Sequence, residues 1–111
     1  LNLVTAPEGV AEAVLIRAVE PVKGIDLMRQ RRPCGKDQLL TSGPARLCQA
    51  FGIDLSLNKT DAVAGDSLSV EEGPSPAGPI GTRTRIGISN TVAAAYPWRF
   101  VEVGNPYLSR R

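Results

Sequence analysis

Residues Glu12 to Glu20 read EAVLIRAVE, an almost unbroken apolar run that carries one arginine, Arg17, and is closed by Pro21. Such a run predicts a strand buried on both faces, because a strand with one wet face would alternate apolar and polar residues. Arg17 is the feature to explain, since a guanidinium in an apolar strand needs anionic or polar partners. A structural ion pair, with Glu20 or with an upstream acid, would satisfy it, and so would a functional role.

The rest of the chain is read from its punctuation. Pro21 and Gly24 break the strand, and the segment from Ile25 to Arg31 places Ile25 and Met28 on one helical face before Pro33 stops it. The arginines at its end, Arg29, Arg31 and Arg32, read as a solvated face that satisfies terminal carbonyls rather than as a site. A second helix begins after Ser42 with Pro44 in its first turn, buries Leu47, Cys48 and Phe51, and stops at Gly52. Residues Ser67–Glu71 alternate like a half-buried strand, and a Gly- and Pro-rich loop runs from Gly73 to Gly81. Thr82–Ile88 and Pro97–Val103 give two further strands, with Trp98 and Phe100 expected in core or edge packing, and Gly104–Tyr107 a turn. The order predicts an α+β fold, a single domain with a largely antiparallel curved sheet and short helices.

Composition narrows the chemistry. With 111 residues, 42% of them hydrophobic, and no run long enough to span a membrane, the chain reads as one soluble domain with a modest core. It opens LNLVT, without the charged and apolar regions of a signal peptide, and the opening reads as the middle of a strand. A net charge of +2 permits nucleic-acid contact without requiring it. Cys34 and Cys48 are expected as reduced thiols, in a cytosolic or nucleoid-associated protein. The absence of histidine removes His-based triads, His-containing zinc sites and the commonest general base. Among the carboxylates no acid and base pair can be placed, and Glu20, just before a proline, reads as a turn residue. The chain offers a half-site.

Four segments in series resemble the alkyladenine (3-methyladenine) DNA glycosylases: VLIRAVEP from Val14 to Pro21, LTSGPARLCQA from Leu40 to Ala50, RIGI from Arg85 to Ile88, and Trp98-Arg99-Phe100 leading to Gly104-Asn105-Pro106. Together they span nearly the whole chain, and the first two blocks carry most of the specificity. The resemblance implies a monofunctional glycosylase, acting without a metal or other cofactor, that flips a damaged purine out of duplex DNA and hydrolyses its N-glycosidic bond. It further implies that residues 1–111 correspond to the C-terminal portion of the family's domain. The general-base glutamate, the stacking tyrosines and the tyrosine that fills the gap in the duplex belong to the N-terminal half, and the complete protein is expected to be a monomer.

Residue by residue, the resemblance assigns Arg17 to holding the nucleophilic water and Ile86 to presenting a backbone carbonyl towards it. Asn2 and Leu15 match positions beside the flipped purine, where the Asn2 amide would oppose the exocyclic amino group of guanine. Thr41, Ser42, Gly43 and Arg46, a polar entrance to a helix, match a clamp on the DNA phosphates. Each has a plainer reading: Ile86 as strand core, Asn2 as a solvated residue, the Thr41–Arg46 group as an ordinary helix cap. The alternative for the whole chain is a non-catalytic nucleic-acid-binding or interaction module on the same framework. The expected location is cytoplasmic, at the nucleoid in a bacterium or in the nucleus of a eukaryote.

Overall fold

Two helices and the turn between them form the centre of the fold. The structure, a computed structural model, describes residues 1–109. Gly24, in the left-handed region at φ 76°, turns the chain into helix α1 (Ile25–Arg31), a conformation that glycine adopts without steric cost. Asp26 in the first turn and Arg29 and Arg31 in the last complement the helix dipole. A 3-10 turn at Asp37–Leu39 leads to helix α2 (Pro44–Phe51), whose first position suits Pro44 because an N–H there would have no partner within the helix. At the far end Gly52, at φ 70°, donates its N–H to the Gln49 carbonyl at 3.3 Å, while Ile53 donates to that of Cys48 at 2.8 Å. This double closure satisfies carbonyls that a frayed end would leave to water. Met28, Leu40 and Ala50 form the buried cluster between the helices, with Ile25 and Cys34 packed against it.

The strands flank this centre in two antiparallel pairs. Strand β1 (Asn2–Val4) pairs with β2 (Ala13–Leu15), Asn2 opposite Leu15. Strand β3 (Ile80–Arg83) pairs with β4 (Arg99–Glu102), Thr82 opposite Phe100 and Arg83 opposite Arg99. A second 3-10 turn, Leu55–Leu57, and a short helix α3 (Thr91–Ala94) lie in the connections. The Asn90 side chain caps α3 by accepting the N–H groups of Val92 and Ala93 at 3.0 and 3.1 Å.

The α+β class with antiparallel pairing and short helices holds, and the strands divide into two separate two-stranded sheets. Several elements differ from expectation. The apolar run contributes only Ala13–Leu15 to a ladder, with Val14 51% and Leu15 41% exposed, while Ile16–Val19 are half-buried outside any strand. Its composition reads as two-face burial, but β2 has β1 as its one ladder partner among the described residues. Ser67–Glu71 forms no strand: Val70 N–H donates back to the Ala62 carbonyl at 2.7 Å, closing a loop instead. The strand expected over Thr82–Ile88 starts earlier, at Ile80, and ends at Arg83.

Candidate functional site

The continuation of β2 through Ala18 forms one wall of a cleft of about 520 Å³, and residues around β4 and the segment Arg85–Ile88 form the other. Leu15, Arg17 and Ile86, far apart in sequence, all line it. The antiparallel pairing of β3 with β4 carries the segment holding Ile86 back beside the strand that holds Phe100. Arg17 is half-buried, with its Nε shielded from solvent, so a cation is held within a largely apolar wall.

Three arginines, Arg17, Arg85 and Arg99, line this cleft, and among the described residues no carboxylate does. Such a wall favours anionic or electron-rich partners, and the low polarity of its aliphatic neighbours lengthens the reach of each charge. The Arg85 guanidinium lies 5.9 Å from the centre of the Trp98 ring, within cation–π range, and the Tyr96 and Trp98 rings sit 4.6 Å apart. Arg99 Nε donates to the Thr84 carbonyl at 2.9 Å, fixing its stem across the hairpin.

Trp98 and Phe100 do not pack in a core: they are 63% and 70% exposed, and both border the cleft. The alternation Trp98-Arg99-Phe100-Val101 does put the two aromatics on one face, but it is Val101 on the other face that is buried, at 8% exposure. Asn105, read from the sequence only as part of a turn and of the fourth segment, makes contacts that the sequence did not indicate. Its Nδ2 donates to Glu102 Oε2 at 2.8 Å and lies 3.5 Å from Glu20 Oε2, which links the end of β4 to the end of the apolar run. Glu102 also accepts the Gly78 N–H at 3.0 Å, and these bonds, that from Asn105 foremost, hold its carboxyl below the usual range.

The other sequence-assigned residues lie outside the cleft lining. Asn2 is exposed and faces Leu15 across the β1–β2 ladder. Thr41 is fully buried, and its hydroxyl donates to the Val19 carbonyl at 2.6 Å, two residues beyond Arg17. Ser42, 6% exposed, accepts from Arg46 NH1 at 3.2 Å, and Gly43 is buried beneath the Arg46 stem. Of this group Arg46 is the exposed member, with the other three as its support. Among the described residues no group of three His, Cys, Asp or Glu side chains is placed to hold a metal, and no helix is long and apolar enough to cross a membrane.

Comparison with known proteins gives this arrangement a context. The sequence pattern of the family described as "Methylpurine-DNA glycosylase (MPG)" matches residues 1–106. Three curated proteins, each bearing the name "Putative 3-methyladenine DNA glycosylase", are similar along nearly all of the chain. That of Oceanobacillus iheyensis is 50% identical over 99% of the chain and 55% of its own length. That of Rubrobacter xylanophilus is 44% identical over 94% of the chain and 53% of its length. The third, from Methanoculleus marisnigri, is 45% identical, covering all of the chain and 58% of the relative. The chain therefore spans about half the length of the curated relatives it matches.

Proposed function

The chain belongs to the methylpurine-DNA glycosylase family, and from that premise we propose that it supplies part of a base-flipping enzyme that hydrolyses the N-glycosidic bond of alkylated or deaminated purines in duplex DNA. The observation that carries the reading is the convergence of Leu15, Arg17 and Ile86 on one cleft. In this proposal residues 1–111 form the C-terminal portion of the domain, and a general base and the rings that stack on the flipped base come from the remainder of the relatives' length.

The chemistry follows from the groups present. Water attacks the anomeric carbon, the C–N bond breaks with its electron pair leaving on the purine, and one proton of the water passes to the general base. Arg17 orients that water and stabilises the negative charge that gathers near it, with the Ile86 carbonyl accepting a hydrogen bond from the water O–H that is not transferred. Leu15 packs beside the flipped base, and Asn2, one strand away, opposes the amino group of guanine. Arg46, set on the Thr41–Gly43 turn, grips a phosphate and fixes the register of the duplex without reading its sequence. No metal or cofactor is required, the complete protein works as a monomer, and its place is with the DNA, at a bacterial nucleoid or in a nucleus.

A non-catalytic module that binds nucleic acid is the second reading, and the lack of a carboxylate among the described residues of the cleft favours it. One assay separates them: single-turnover release of hypoxanthine from duplex DNA, by residues 1–111 and by a protein carrying this chain at the relatives' full length. The expected result is excision by the longer protein and none by residues 1–111 alone. Tight duplex binding without excision by the longer protein would establish the module instead.

A further inference from the structure

We infer that Arg32 is a positioning residue for the phosphate contact at Arg46, acting through the turn that joins α1 to α2; the inference rests on the phosphate role proposed above for the Thr41–Arg46 segment. Arg32 follows directly on α1, and each of its three guanidinium nitrogens donates into the protein. Nε donates to the Leu40 carbonyl at 3.0 Å, NH2 to the Leu39 carbonyl at 3.2 Å, and NH1 to Gln49 Oε1 on α2 at 2.9 Å. Gln49 returns a bond, its Nε2 donating to the Arg31 carbonyl at 3.3 Å. One side chain thus holds the last two carbonyls before Thr41 and locks them to both helices.

From that point each residue is held by the one before it. Thr41, fully buried, is anchored on its other side by its hydroxyl bond to Val19. Ser42 and Gly43 follow, and they set the direction of Arg46: Ser42 Oγ accepts from its NH1, and a Cβ at Gly43 would lie 3.4 Å from Arg46 Cδ. Moving the Leu39 and Leu40 carbonyls would therefore swing the guanidinium that meets the duplex. Only a rigid planar fork reaches two carbonyls and an amide oxygen in different directions at once, and a lysine ammonium on a flexible stem does not. Arg29, by contrast, is committed to Asp37 and Asp26 at 2.6 and 2.7 Å and touches none of these carbonyls.

The test uses a protein carrying this chain at the relatives' full length, with duplex affinity measured across a salt series and single-turnover excision measured at saturating protein. Arg46→Ala is expected to weaken binding and to make the salt slope shallower by about one, the signature of one lost phosphate contact. Arg32→Ala is expected to weaken binding roughly tenfold with the same change of slope, the scale of one charge-assisted bond, and to leave excision at saturation within about twofold. Arg32→Lys should behave like Arg32→Ala. In the Arg46→Ala background the Arg32 substitution should cost little more, because the two act on one contact. Additive losses, or an Arg32→Ala protein with unchanged affinity, would overturn the inference while leaving the phosphate reading intact. An Arg46→Ala protein with unaltered affinity and slope would instead overturn the phosphate reading, and the inference with it. Should Arg32→Ala not fold, Gln49→Leu removes one of the three Arg32 bonds together with the return bond to the Arg31 carbonyl. A roughly threefold loss of affinity, smaller than that of Arg32→Ala because the two carbonyl bonds remain, and absent in the Arg46→Ala background, would support the inference, and an unchanged affinity would refute it.

Discussion

A guanidinium inside an apolar run is conspicuous without any structure, and Arg17 lies at the wall of a cleft with Leu15 and Ile86. Its proposed task is to orient water, so in a protein of the relatives' length Arg17→Ala should lower single-turnover excision by roughly a hundredfold or more, the scale of removing a transition-state donor. Duplex affinity should stay near that of the parent. Near-normal excision with a lowered melting temperature would mark Arg17 as a structural ion-pair partner. Other residues were harder to read, for a physical reason. Alternation along Trp98-Arg99-Phe100-Val101 tells which side chains share a face, but which face is covered depends on elements distant in sequence. Thr41 was legible as a polar group at a helix entrance. That its hydroxyl turns inwards to Val19 is a tertiary fact that no local pattern encodes.

The helices were legible because their signals are local. Gly24, Pro33, Pro44 and Gly52 punctuate α1 and α2 where the structure begins and ends them, within a residue or two. The strands were less so, since the same apolar run suits a two-face strand or a half-covered one according to its partners. Gly52 offers a test at this scale. Its φ of 70° disfavours any residue with a Cβ, and a Cβ there would meet Arg31 Cζ at 3.0 Å. Gly52→Ala should therefore destabilise the fold by about 1–2 kcal/mol in denaturant unfolding, and an unmoved midpoint would mean that the helix end relaxes freely. The junction of β4 with the Gly78 and Asn105 segments gives another. The Glu102 carboxyl is held below its ordinary range by Asn105 and Gly78, so its contribution is complete above the unfolded pKa, near pH 4, and is lost as pH falls through the lower folded value. Thermal melts of Glu102→Gln between pH 2 and pH 7 should show a shallower decline on the acid side than the parent; identical slopes would assign the acid sensitivity elsewhere, to groups such as Asp37 beside Arg29, Asp54 and Asp61, which are also held low.

At the level of the whole molecule, core and cleft occupy different places. Of the five buried hydrophobic residues among those described, Met28, Leu40, Leu47 and Ala50 belong to the helical centre, and only Val101 lies in a strand. The radius of gyration is 14.9 Å, against roughly 13 Å expected for a closed domain of about this length. Trp98, Phe100, Ile80 and Val14 are all more than half exposed, a larger apolar display than scattered surface residues account for. Residues 1–111 alone should accordingly bind a hydrophobic dye in native buffer and elute above monomer size, and a dye-silent monomer would show that this face is covered within the chain. The separation of the two regions has a counterpart in time. Amide hydrogens of Leu47–Phe51, held between packed helices, should exchange slowest of all, while those of Ile80–Arg83 and Arg99–Glu102 exchange through brief openings that leave the helices intact. The cleft proposed to receive a purine is then free to breathe on a faster clock than the body that carries it.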